Sequence, residues 1–260
     1  MRVTLIGSGN VATHIAMRLK EQGVEIACIY SRTFDNACAL ASRVGSMAIA
    51  NKSDIPQSDL YICSVKDDNI TDALSGINFG TGIVVHTAGS VDMKVLERMA
   101  ENIGVIYPMQ TFSKSKHVDW EKIPLFTEAN TDTNLIKINE FASILSKNIT
   151  TATSEQRKII HLSSVFVCNL TNHLYSVAYR LMKSNGLEFQ TLFPLIDETV
   201  SKIKVLEPAK AQTGPAVRGD EKVMKMQQEM ICGYDLEIYK TISKAIQLEH
   251  EQLQRETSQN

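Results

Sequence analysis

The stretch Val3-Thr4-Leu5-Ile6-Gly7-Ser8-Gly9-Asn10-Val11-Ala12-Thr13-His14-Ile15-Ala16 decides the fold of this chain. Val3 to Ile6 is a short apolar run of the kind a strand buried on both faces needs. Gly7, Gly9 and Ala12 follow in G-x-G-x-x-A spacing, and Val11, Ile15 and Leu19 then recur at helical intervals. The segment therefore reads as strand, tight turn and helix. In such a unit Gly7 lets the chain turn off the strand, Gly9 clears the approach to the backbone, and Ala12 lets helix and strand pack closely. The free N–H groups of the helix start, at Asn10 and Val11, then offer a seat for a pyrophosphate.

A second strand, Val24 to Tyr30, follows Gly23 and ends in Ser31-Arg32-Thr33. A carboxylate at this point would hold the ribose 2′-hydroxyl of NAD, whereas a guanidinium between two hydroxyls suits a 2′-phosphate. The first acid downstream, Asp35, falls in the next helix, so the expected cofactor is NADP(H). The alternative makes Arg32 a solvated charge and Thr33 only a helix cap.

Further strands are expected at Met47 to Ile49, Leu60 to Val65, Ile83 to Val85, Val105 to Tyr107, Leu125 to Thr127 and Asn148 to Thr151, with helices between them. Ligands in such sheets bind beyond the carboxyl ends of strands. Those ends carry Val65 and Lys66, then His86, then Gln110. Val65 and Lys66 are candidates for the cofactor, although Lys66-Asp67-Asp68 could simply start a helix. His86 and Gln110 are candidates for substrate, although each could merely satisfy local backbone groups.

From Thr153 onward no strand-like alternation remains. The fold class is therefore an α/β Rossmann domain with a doubly wound, mostly parallel sheet (residues 1–152), followed by an all-α substrate and dimerisation domain (residues 153–260). A long helix is expected from Ser154 to about Ser184, and two more at Glu221 to Ile231 and Asp235 to Leu253, with a frayed tail after Gln254. A helix of that length can be a domain shaft or a dimer interface, and a homodimer is expected.

The long helix is apolar but is interrupted by His161, Ser164, Cys168, Asn169, Asn172 and His173. At spacings of three and four, His161, Ser164, Cys168 and Asn172 share a face. Buried polar groups need partners, either a substrate or a helix-to-helix network. His161 could shuttle a proton and Asn169 could hold a carbonyl. Further on, Gln212-Thr213-Gly214-Pro215-Ala216-Val217-Arg218-Gly219-Asp220 breaks the helices. Thr213 and Arg218 could bind a carboxylate there, and Asp220 could cap the helix from Glu221.

Bulk properties narrow the class. With 27 Lys and Arg against 29 Asp and Glu, the net charge is −2, and the scattered basic residues argue against nucleic acid or an anionic membrane surface as partner. Five cysteines without a C-x-x-C pair read as buried free thiols in a reducing cytoplasm, with no metal site. Met1-Arg2 leads straight into the first strand, which leaves no room for a signal peptide, and no apolar run is long enough to span a bilayer.

Together, GSGNVA from Gly7, SRT from Ser31, HTAGS from His86, YPMQTF from Tyr107, the His161 to Asn169 helix and QTGPAVRGD from Gln212 resemble a family of oxidoreductases. That family joins a Rossmann-like NADP-binding domain to a C-terminal helical domain of unknown function. It lies in the superfamily of 6-phosphogluconate dehydrogenase, pyrroline-5-carboxylate reductase and ketopantoate reductase. The resemblance implies NADP(H)-dependent hydride transfer to or from a small oxo acid or imine at the interdomain cleft. The hydroxyacid dehydrogenases of the superfamily place a catalytic Lys on the long helix with Asn one turn later. Here His161 stands on that helix, Val165 is one turn on and Asn169 two turns on. The resemblance leaves His161 as replacement proton donor and Asn169 as orienting donor, with a non-catalytic NADP(H)-binding redox sensor as the alternative.

Overall fold

The computed structural model describes residues Met1–Ser258. Eight strands form one sheet, β1 (Arg2–Ile6), β2 (Glu25–Tyr30), β3 (Met47–Ile49), β4 (Leu60–Cys63), β5 (Ile83–His86), β6 (Ile103–Pro108), β7 (Leu125–Ala129) and β8 (Ile149–Thr151), in the order β3-β2-β1-β4-β5-β6-β7-β8. All neighbours are parallel except β6 and β7. The order reverses between β1 and β4, and such a switch point opens a crevice at the strand ends.

Alternation along the strands builds a core on each face of the sheet. Leu5, Ile29, Leu60 and Ile62 pack with α1 (Asn10–Glu21), α2 (Phe34–Val44) and α4 (Asp132–Leu145), while Ile6, Cys28, Tyr61 and Cys63 pack with α3 (Ile70–Leu74).

The chain forms two compact units, Met1–Leu170 and the remainder from Thr171. The first therefore extends past the expected break at residue 152. The reason is Arg157, which is wholly buried near the start of α5 (Ser154–Ser164). Its guanidinium pairs with Glu128 of β7 and donates to the carbonyls of Ala88 and Val91, beyond β5. A buried charge needs such partners, and these bind α5 to the sheet. Thr153 caps α5, in a capping box with Gln156.

The expected single helix from Ser154 to Ser184 is found as α5, a π-helical turn at Val165–Leu170, and α6 (Thr171–Ser184). The wider turn breaks the 3.6-residue period, so the face sharing His161, Ser164, Cys168 and Asn172 does not run through. In the second unit, α6 is followed by α7 (Phe193–Lys202), α8 (Pro208–Ala211), α9 (Pro215–Arg218), α10 (Glu221–Glu229) and α11 (Gly233–Ser258). The last helix continues past Gln254 to Ser258 rather than fraying there; Gln259 and Asn260 lie outside the described residues. Among the described residues no helix is long and apolar enough to cross a membrane. Of the cysteines, Cys28 and Cys63 are buried, Cys38 and Cys168 half-buried, and Cys232 exposed, so uniform burial does not hold.

Candidate functional site

The carboxyl ends of β1, β2 and β4 border an open cleft of about 700 Å³. It is lined by Gly7, Gly9, Asn10 and Val11, by Ser31, Arg32 and Thr33, and by Val65 and Lys66. Gly7 makes the turn at φ 120°, and a Cβ there would lie 2.2 Å from the Ser64 carbonyl oxygen, so glycine is required. Its N–H donates to the Tyr30 carbonyl at 2.8 Å, which ties the turn to the end of β2. At Gly9 nothing lies within 4 Å of where a Cβ would point, leaving the backbone open to a ligand. Helix α1 has Gly9 as N-cap, no capping side chain and no acid in its first turn. Its unpaired N–H groups and positive dipole end are thus left for an anion.

Among the described residues Arg32 has neither an ion-pair nor a hydrogen-bond partner. Asp35 sits in the first turn of α2 and does not line the cleft. Thr33 occupies the N-cap position of α2, yet its hydroxyl makes no capping bond. Ser31 Oγ accepts from Ser8 Oγ at 2.9 Å. Lys66 lines the cleft and also precedes a 3-10 turn at Asp67–Asn69. A hydrogen bond of 2.8 Å between the Ser64 and Thr87 hydroxyls extends the lining to the end of β5.

The four residues expected at the substrate fare differently. His86 is wholly buried and does not line the cleft; its Nδ1 accepts the Ala88 N–H at 3.2 Å. Burial and then the Arg157 guanidinium push its pKa down to about 4, which makes the ring a neutral part of the β5 turn. Gln110 is exposed, and its Oε1 accepts the Thr111 N–H at 2.8 Å, away from the cleft. In the second unit Thr213 is exposed, and Arg218 is paired through Nη2 with Asp220 at 2.8 Å. Asp220 holds the N-cap position of α10 but makes no capping bond, its carboxylate being engaged by Arg218.

On α5, His161 is half-buried, and its Nδ1 lies 3.1 Å from the Tyr107 hydroxyl, with the two rings edge to face. Asn169 is exposed in the π-helical turn. Among the described residues no group of three His, Cys, Asp or Glu side chains could hold a metal ion.

Residues 2–89 match the family model described as NADP oxidoreductase coenzyme F420-dependent, and residues 123–246 match Domain of unknown function (DUF2520). A candidate NADP oxidoreductase of known structure from Bacteroides fragilis is 40% identical, covers 95% of this chain and 97% of its own, and superposes with a TM-score of 0.88. The chain belongs to this family of Rossmann-like NADP oxidoreductases. A reductive aminase from Aspergillus terreus, solved with NADPH and ethyl-5-oxohexanoate, shares the fold at 14% identity, with a TM-score of 0.74 over 98% of this chain and 94% of that one. A glutamyl-tRNA reductase of Methanococcus maripaludis is 30% identical over 107 residues, which are 40% of this chain and 28% of that protein.

Within this NADP oxidoreductase, the cleft also has linings the sequence did not point to, among them Asn36, Lys52 and Lys114. Lys114 lies in the loop after β6, which is drawn toward α1 by Asn10 Nδ2 donating to the Phe112 carbonyl at 2.8 Å and by His14 Nε2 at 2.9 Å from the Ser113 carbonyl. These bonds join residues about a hundred positions apart, beyond the reach of any local pattern.

Proposed function

We propose that the chain is an NADPH-dependent reductase acting on the C=O or C=N carbon of a small carboxylic acid. The observation that carries this reading is the unpaired Arg32 beside the Thr33 hydroxyl on the same cleft as an uncapped, acid-free helix N-terminus. The donors suit the cofactor. Backbone N–H groups at Gly9, Asn10 and Val11 would hold the pyrophosphate, and Ser31, Arg32 and Thr33 the 2′-phosphate. Val65 and Lys66, at the end of β4, would line the path toward the reacting end. When bound, NADPH supplies the hydride.

The protein's part is a proton and an orientation. His161 would give the proton to the substrate oxygen or nitrogen, and Asn169 would donate to the substrate. In the second unit, the loop holding Thr213 and Arg218 would take a carboxylate if Arg218 exchanged its exposed partner Asp220 for one. C=N substrates are included because a reductive aminase shares the fold.

A second copy of the chain is the proposed partner. Among the described residues of the second unit only Ala216 and Met224 are buried apolar groups, while Leu195, Val205, Met230 and Tyr234 are among many left exposed. So thin a core calls for a cover wherever the chain is made, and a second copy is always present. Sedimentation velocity is expected to give a dimer, and a monomer at every concentration would remove this part of the reading.

Fluorescence titration with NADPH and NADH, followed by NADPH oxidation with 2-oxo acids and cyclic imines, tests the rest. Tighter NADPH binding and turnover of an acid are expected. Equal affinity for the two cofactors would sink the role of Arg32. Tight binding without turnover of any acid or imine would replace the enzyme with a redox-sensing regulator.

A further inference from the structure

Tyr107, at the end of β6, opens the stretch Tyr107-Pro108-Met109-Gln110-Thr111-Phe112. It is buried, and burial pushes its phenol above the ordinary value, with the Ser164 hydroxyl pulling the other way. Its hydroxyl lies 3.1 Å from Nδ1 of His161 and is also within hydrogen-bonding reach of the Ser164 hydroxyl. Two residues beyond the cleft-lining Thr87, Gly89 fits between these rings. A Cβ there would stand 2.7 Å from both His161 Nδ1 and Tyr107 Cζ. The Arg157 guanidinium, one helical turn before His161, binds the carbonyls of Ala88 and Val91 on either side of this glycine. Nδ1 is therefore enclosed by Gly89 and Tyr107, and only Nε2 is left to meet a substrate.

We propose that the Tyr107 oxygen accepts the Nδ1–H of His161, which makes Tyr107 a positioning residue that reserves Nε2 as the atom that carries and gives the proton. This rests on the reading of His161 as proton donor. In the reducing direction bound NADPH would supply the hydride to the C=O or C=N carbon and be oxidised to NADP+, and the π electron pair of that bond would pass to oxygen or nitrogen. The Nε2–H bond of the imidazolium breaks, and that proton forms the new O–H or N–H bond. The ring is left neutral with Nδ1–H still on Tyr107, and a solvent proton restores Nε2–H. Gly89 supplies the space that lets phenol and imidazole meet in both states.

The neutral ring must then be the Nδ1–H tautomer, whereas a free histidine ring favours Nε2–H. We would read the tautomer from 15N shifts of histidine-labelled full-length protein at alkaline pH, assigning His161 by its loss in H161Q. Nδ1–H is expected as the major form. Y107F, which keeps the ring and its packing, should move the ratio toward Nε2–H about fivefold, the worth of one hydrogen bond. G89A should move it the same way with the hydroxyl still present, because its φ is ordinary and only the space is lost. Nε2–H as the major form in the parent protein, or an unchanged ratio in Y107F, would overturn the proposal. In turnover with pyruvate or a pyrroline carboxylate as probe, Y107F should lower kcat about fivefold while KM and NADPH affinity stay put. An unchanged kcat would likewise overturn it. If the parent protein turns over neither probe, the reading of the substrate fails separately and the tautomer still decides the role of Tyr107.

Discussion

The unit Met1–Leu170 and the residues from Thr171 onward show opposite relations between sequence and burial. In the first, a parallel sheet is covered on both faces, and whole strands such as Leu60–Cys63 are buried. In the second, helices as long as α11 leave their apolar residues half-buried or exposed, and only Met224 and Ala216 are fully buried among the described residues. Burying one large aliphatic side chain is worth about 1.5–3 kcal/mol. The first unit therefore holds its own stabilising surface, while the second leaves most of its surface unclaimed. What this teaches is where chemistry can be built without help: a fixed constellation such as Tyr107, Gly89 and His161 needs the rigid background that only the first unit provides.

The largest expected effect tests how firmly α5 belongs to that background. Replacing Arg157 with Leu leaves Glu128, largely buried, without its cation, and the carbonyls of Ala88 and Val91 without a donor. Removing one partner of such a pair costs about 3–5 kcal/mol, read as a lower urea midpoint. A loss below about 1 kcal/mol, the worth of an exposed pair, would return α5 to the helical part of the chain and restore a boundary near residue 152.

His86 gives the next effect, through pH. Its pKa falls from 6.5 to about 4 on folding, so the unfolded chain takes up the proton first as pH drops. The stability due to the neutral ring is complete above about pH 6.5 and is lost progressively toward about pH 4, reaching roughly 3 kcal/mol. Urea midpoints compared across this window should show the parent protein losing stability relative to H86L as the pH falls. Parallel curves would mean that His86 does not titrate between the two states.

These two residues also mark the limit of what the chain's linear pattern could tell. The strand-turn-helix at Val3 to Ala16 was legible because every determinant lies within one turn of the next, and Arg32 because it directly follows a strand. The edge at which polar groups gather was legible from topology alone. Which of them face the cleft was not: His86 and Gln110 end neighbouring strands yet satisfy backbone groups in their own turns. Arg157 carries no local signal, because Glu128 and Ala88 reach it only through the fold. The polar stripe on the long helix assumed a constant 3.6-residue period, which the π-helical turn at Val165–Leu170 interrupts.

Arg32 tests the half of the cleft that was legible. R32Q should weaken NADPH about tenfold to hundredfold, since hydrogen bonds to charged groups are worth roughly 1.5–3 kcal/mol, and should leave NADH nearly unchanged. Isothermal titration with both cofactors measures the ratio. Equal weakening of both would mean that Arg32 supports the turn rather than the 2′-phosphate.

The smallest expected effect on folding lies in the second unit and separates a structural from a ligand role for its loop. The Arg218–Asp220 pair is exposed, so its loss in R218A should change stability by no more than about 1 kcal/mol. If Arg218 serves a substrate carboxylate, the same variant should raise KM for an acid while leaving NADPH affinity alone, and R218K should recover it only in part because an ammonium cannot make the two parallel bonds of a guanidinium. If R218A instead lowers the urea midpoint strongly, the pair is holding α9 against the start of α10. The exposed loop would then be part of what little framework the second unit has, and the carboxylate would have to find another cation.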